Sequence, residues 1–209
     1  MNTKNALALV AILFAILAYI PYIRDVLKGR TKPHAFSWLI WGTMSMVAFY
    51  AEYGDGGGAG TWVLAFTVLI DYMIFTLALY KGERSIKITD WLALLAAFVG
   101  LGLWTVHDQP PMSLILISAV GVVGFIPTVR KSMEKPHQET ISAYMFLTLK
   151  YIFAVAALER YTLITLVFPT TLGLMHGFFV TILYWRRRQL GYGLHGRRVK
   201  KRHVSHKLA

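Results

Sequence analysis

Three ionisable residues interrupt runs that are otherwise apolar: Asp71 in TVLIDYMIF, Lys150 in FLTLKYIFA and His176 in GLMHGFF. Asp71 and His176 suit the binding of a proton or a polar solute. An imidazole titrates near neutral pH, and a carboxylate beside it stabilises its protonated form. The alternative role is structural: a hydrogen bond, or an Asp71–Lys150 salt bridge, that locks helices together. A charge at the centre of a membrane helix costs about 2.5–3.5 kcal/mol, so each of these residues has to face a partner or water. One Asp and one His without a nucleophile or a ligand triad do not suggest an enzyme, and no cofactor or metal is expected. The chain has no cysteine, which excludes disulfides and thiolate metal sites.

The elements that must position these residues follow from hydropathy. Of 209 residues 56% are hydrophobic and 15% charged, too apolar for an ordinary soluble domain. The apolar residues fall into seven runs, at 5–23, 36–53, 60–80, 89–106, 112–131, 140–158 and 161–185, each about long enough to cross a bilayer as a helix. The fold class expected is an all-α polytopic membrane protein with seven transmembrane helices. The first run is long for a signal peptide, lacks a small-residue cleavage site and is followed by more basic residues than precede it, so it reads as a retained helix. Lys and Arg concentrate in the loops 24–35, 81–88 and 130–139 and in the C-terminal tail, whereas EYGDGGGAG, HDQPP and LER hold a single Arg. That alternation places the N-terminus outside and the C-terminus in the cytoplasm. It also accounts for the net charge of +12 without nucleic acid, although the basic tail suits anionic lipid headgroups. Trp41, Trp62, Trp91, Trp104, Tyr161 and Trp185 lie near helix ends, where amphipathic rings favour the headgroup zone.

The sequence also repeats itself. IPYIRDVLKGRTKPH at 20–34 is echoed by IPTVRKSMEKPH at 126–137. With Pro21 set over Pro127, Arg24 falls over Arg130, the Lys-Pro-His triplets nearly coincide, and Ser37 and Ser142 follow at sixteen and fifteen residues. The third run of each half then ends alike, LALYKGER against TILYWRRR. Runs 1–3 and 5–7 therefore read as copies, with one extra crossing between them that gives both the same orientation. The boundaries expected are 1–81 for the first triple-helix bundle, 82–110 for the linker helix, 111–188 for the second bundle and 189–209 for the basic tail. Such repeats commonly hold a solute site at their interface near the midplane and rock about it. Pro21 and Pro127 are the expected hinges, since each lacks an N–H and crowds the carbonyl four residues back. Asp71 and His176 hold near-equivalent places in runs 3 and 7, so the repeat would bring them face to face. Trp38, Trp41 and Tyr144 follow the repeat serines and either line the same path or pack there. Gly173 and Gly177, flanking His176, suggest a close helix contact, and GDGGGAG reads as a flexible linker without the residues of a phosphate loop.

The 3+1+3 arrangement, the prolines at the ends of runs 1 and 5 and the serine about fifteen residues after each resemble the SWEET and PQ-loop transporter superfamily. The resemblance spans residues 5 to 185. Tyr22 and Thr128 stand where that family has a Gln after the Pro, which leaves the subfamily and the substrate open. What the resemblance implies is a small-solute carrier, for a sugar-like, amino-acid-like or vitamin-like molecule, working by alternating access and open to proton coupling. Its alternative is a receptor on the same fold that binds a peptide or small ligand without flux. A retinal protein fits less well, because that family has its Lys in the seventh span, where this chain has His176. The partners expected are the solute and the bilayer, with room for a homo-oligomer, and the small size and bare loops suit a bacterial inner membrane.

Overall fold

The structure is a computed structural model that describes residues 2–106 and 110–194. Among the described residues eight α-helices carry the fold: α1 Thr3–Leu27, α2 Ala35–Gly54, α3 Ala59–Lys81, α4 Ile88–Val106, α5 Pro110–Val123, α6 Phe125–Glu134, α7 Ile141–Ala156 and α8 Leu163–Gln189. Helices α5 and α6 together form the fifth run. The Trp104 side chain and the tail beyond residue 194, with its expected lipid contacts, lie outside the described residues.

Four helices are long and apolar enough to cross a membrane: Thr3–Leu27, Ala59–Lys81, Ile115–Glu134 and Leu163–Gln189. Helix α2 is not among them. Its polar residues Ser37, Ser45 and Glu52 are all buried; spaced eight and seven residues apart, they form a stripe down one face. Conversely, large apolar side chains stand outward, with Leu69, Leu92, Phe98, Leu174 and Phe178 all more than half exposed. Polar groups inside and apolar groups outside is the arrangement that a lipid solvent selects.

The helix ends have local causes. Asn2 caps α1 by accepting the Lys4 N–H (3.3 Å), and α1 stops at Gly29, whose positive φ of 68° suits glycine. Thr162 and Thr165 form a reciprocal capping box at the start of α8. Helix α1 runs through Pro21 without interruption. In the fifth run the break falls at Gly124, not at Pro127. Pro127 occupies the first turn of α6, where an N–H has no helical acceptor to lose. Gly124 is needed for a close approach: a Cβ there would lie 2.7 Å from Trp41 Nε1 and 3.0 Å from Ile40 Cγ2. The Trp41 indole also donates to the Gly121 carbonyl (3.1 Å), so α2 is wedged into the bend.

The helices close a ring in the order α1, α3, α2, α5, α8, α7 and back to α1. In each triplet the third helix sits between the first and the second. Two seams join the triplets, α1 on α7 and α2 on α5, and each pairs the first helix of one triplet with the second of the other. Helix α4 packs outside this ring against α5 and α6. The two seams differ in texture. Along α1 the buried residues Ala8, Ala11, Ala15 and Ala18 make a small-residue stripe, met from α7 by Ala154 and, just beyond the helix, Ala157. The α2–α5 seam carries the Trp41 wedge. Close approach also marks the α3–α7 contact, where a Cβ on Gly60 would lie 2.8 Å from both the Ala154 carbonyl and Leu158 Cδ2.

Gly60→Ala should therefore lower stability by about 1–3 kcal/mol through overpacking, whereas Gly177→Ala, inside α8 with its nearest neighbour Thr148 Cγ2 at an ordinary 3.5 Å from the new methyl, should be neutral or gain up to about 1 kcal/mol. Thermal unfolding of the two variants in detergent checks the contrast.

Candidate functional site

Asp71, Lys150 and His176 are all buried in the interior of the ring, none more than 4% exposed. Asp71 comes from α3, and its Oδ1 accepts a hydrogen bond from the Tyr19 hydroxyl of α1 (3.4 Å). Gly42 of α2 lets the two helices meet beside it, with a notional Cβ 3.4 Å from the Asp71 Cβ. His176 comes from α8. Its Nδ1 is 2.6 Å from the Leu172 carbonyl oxygen, which can only accept, so Nδ1 carries the proton and Nε2 is left as an acceptor in the neutral ring. Four aromatic rings surround it: Phe125 at 5.1 Å, Tyr151 at 5.4 Å, Tyr144 at 5.9 Å and Trp41 at 6.0 Å between centroids.

Asp71 and His176 line one small cavity together with Tyr19, Trp38, Trp41 and Tyr151. Its volume of about 10 Å³ holds about one water. The two residues share this space without bonding to each other. Lys150 stands behind the wall. Its Nζ donates to Thr67 Oγ1 (3.0 Å), which in turn donates to the Val63 carbonyl (2.7 Å), and Nζ lies 3.8 Å from the centroid of the Tyr151 ring. Among the described residues no ion pair joins Lys150 to Asp71, so the lysine is held by a hydroxyl and a ring face. Trp41 and Trp38 both line the cavity. Tyr144 packs on His176 and donates its hydroxyl to Glu139 Oε2 (3.1 Å).

The end of the ring that carries the basic loops is tied shut at several points. Thr128 of α6 donates to Ser37 of α2 (2.9 Å), both fully buried. The loops cross where Thr31 meets Thr140 (2.6 Å), and the Thr140 hydroxyl lies 3.2 Å from Asp25 Oδ2. Lys131 donates to the Lys32 carbonyl (2.6 Å) and to Glu139. Arg130 makes a two-point contact with Asp90 of α4 (2.6 and 2.8 Å), and His34 Nε2 is 3.2 Å from the same carboxylate. Between the two triplets at this end lies a cleft of about 980 Å³, bordered by Arg24, Asp25, Ser142 and Arg187.

The repeat-matched residues therefore play unequal parts. Arg130 is anchored, while Arg24 is exposed and pairs only with its neighbour Asp25 (3.3 Å). Ser37 is sealed in a hydrogen bond, while Ser142 borders the cleft. The residues that the opening pattern passed over are Tyr19, Thr67, Tyr151 and Glu52. Thr67 lies one helical turn before Asp71 and Tyr151 directly follows Lys150, so their spacing was available as a signal. Glu52 reads as part of an acidic, glycine-rich loop, yet it closes the buried stripe of α2 at 1% exposure. The GDGGGAG segment following it is likewise not a loose linker: Gly57 O accepts from Glu159 N (3.1 Å), and Asp55 is held by Arg160 and Thr162.

Comparison with protein-family models, with curated proteins and with solved structures returns no match. The chemistry of the site rests on its own geometry.

Asp90→Ala should cost about 1–3 kcal/mol, because Arg130 loses its two-point partner and keeps only the Ser85 carbonyl (3.0 Å) and Glu134 (3.6 Å) among the described residues, whereas Arg24→Ala should stay within about 0.5 kcal/mol as a surface change. Equal losses in chemical unfolding of the two variants would contradict the unequal roles assigned to the matched arginines.

Proposed function

We propose that the chain is a small-solute membrane carrier of the SWEET and PQ-loop type, in which the two triplets rock about a central polar chamber. The observation that carries this reading is the small cavity where helices of both triplets meet, lined by both Asp71 and His176. Ionisable groups in such a place are costly, and the usual reason for keeping them is a solute or proton path. The unequal ends support it. One end is fastened by polar contacts between the triplets yet retains a large cleft, and the chamber itself is closed down to the size of a water. A carrier shut between two open states would have such a geometry. Gly124, wedged by Trp41, and Pro21 are the places where the helices would bend. In this reading the solute enters through the cleft at the basic end, and Asp71, His176, Trp38 and Trp41 contact it in the chamber. Lys150 keeps the positive charge near Asp71 without neutralising it by direct contact.

Uptake into proteoliposomes of labelled sugars, amino acids and vitamins, with and without an imposed pH gradient, tests the proposal. Transport of at least one class is expected, with Asp71→Asn and His176→Ala each reducing it at least about tenfold, the loss of roughly one charge-assisted hydrogen bond in the transported state. Saturable binding with no flux would favour a receptor instead. Uptake that is indifferent to both substitutions would remove the chamber from the mechanism.

A further inference from the structure

Glu52 lies in the last turn of α2, far from the basic end, and it is 1% exposed. Its Oε1 is buried without a hydrogen-bond partner, and so is the Thr61 hydroxyl of α3. The two border the same spot: a Cβ on Gly57 would sit 2.3 Å from Thr61 Oγ1 and 3.5 Å from Glu52 Cβ. Among the described residues no Lys, Arg or His side chain bonds the Glu52 carboxyl. The titratable side chains on α7 are Tyr144, Lys150 and Tyr151, and at this end of α1 stands Lys4, whose Nζ donates to the Ala156 carbonyl (2.9 Å). Helix α3 has no titratable side chain between Ala59 and Ile70, and the sequences of α5 and of α8 as far as Met175 contain none.

Beside Glu52 runs a short glycine-rich strap, with a notional Gly57 Cβ 3.5 Å from the Glu52 Cβ. Gly57 N–H folds back onto the Glu52 carbonyl (2.9 Å), and Gly56 and Gly58 take positive φ values of 76° and 66°, which glycine adopts without strain. The strap is fastened to the other triplet. Glu159 N–H donates to Gly57 O (3.1 Å), Arg160 donates to Asp55 O (3.3 Å), and Thr162 donates to the Asp55 carboxylate. Glu159 itself packs on Gly58. Asp55, Glu159 and Arg160 are thus the charged groups above the strap, and none of them bonds Glu52.

An ionised carboxylate enclosed without a donor costs several kcal/mol. A metal ion does not fit the space, because the nearby carbonyls of Glu52 and Gly57 are already engaged and hard cations want six or more oxygens. A proton fits. We propose that Glu52 is a proton-binding site beside the strap: the strap closes with a proton on Glu52, and it opens as that proton leaves to water. The step is a simple exchange, carboxyl to carboxylate plus a solvated proton. This makes the proton the coupling ion at the mouth opposite the basic end. The link to transport rests on the carrier reading above, but the protonation of Glu52 and the position of the strap do not.

The test needs no solute. In the full chain, infrared difference spectra between acid and alkaline pH should contain a protonated-carboxyl band that Glu52→Gln removes and Asp71→Asn leaves in place. Since the chain has no cysteine, spin labels on Tyr53→Cys and Leu163→Cys can report the strap's distance from the start of α8. That distance should lengthen as pH rises in the parent and stay short at every pH with Glu52→Gln. If Glu52→Gln does not fold, Gly57→Ala serves instead. Its methyl has no room beside Thr61, so the strap lifts, Glu52 is hydrated and the band disappears at neutral pH. An unchanged band in Glu52→Gln, an unchanged pH response of the distance, or a band that persists in Gly57→Ala would each overturn the proposal. Uptake that fails while the Glu52 band and the distance change persist would count against the carrier reading alone.

Discussion

The constraint on which the rest of this structure depends is that its polar side chains have no outside to face. Leucines and phenylalanines occupy the outer faces of the helices, so Ser37, Ser45, Glu52, Thr67, Asp71, Lys150 and His176 must find their partners in the interior. A bundle that met this demand with paired groups would be a locked block. Here the pairing is incomplete. Lys150 leans on a hydroxyl and an aromatic face, His176 is oriented by its own helix, and the stripe along α2 keeps several atoms without partners. The interior is polar enough to attract water or solute and too sparsely bonded to replace them.

Closure of the ring is what makes this possible. Each triplet places its third helix between the other two, and the first helix of each then reaches across to the second helix of its counterpart. The polar faces of α2, α3, α7 and α8 are thereby turned to a common axis. The ties at the basic end join loops, the first turns of longer helices and the short helix α6.

Much of this was legible in the residues. Hydropathy and loop charge marked the helices to within a few residues, and the order of buried charges along them led to Asp71 and His176 lining one space. Three features were not legible, each for a physical reason. The bend in the fifth run falls at Gly124, because a bend needs room for the Trp41 ring from another helix, and no local pattern announces that ring. Proline at the start of a helical segment is as comfortable as proline at a kink is disruptive, so Pro127 looked like the break. Glu52 was hidden because an acid shortly before three consecutive glycines looks like a solvated turn, whereas the strap folds back onto its main chain and the residue is buried. Arg24 and Arg130 looked equivalent because the repeat preserves side chains but not the partner: Asp90 of α4 stands on one side of the molecule, and the other triplet has no counterpart to α4.

The two seams between the triplets are built of different materials. Where α1 lies on α7, Ala8 and Ala11 meet Ala154 and Ala157 at one end, and further along the ring of Phe14 stacks between Phe146 and Phe153. Where α2 lies on α5, an indole is driven into a glycine bend and pinned by its N–H, as a bolt holds a door to its frame. In the proposed carrier, relative movement of the two halves would then be lopsided, with the hydrogen-bonded tryptophan of one seam and the stacked rings of the other resisting it by different means despite the near-equality of the halves.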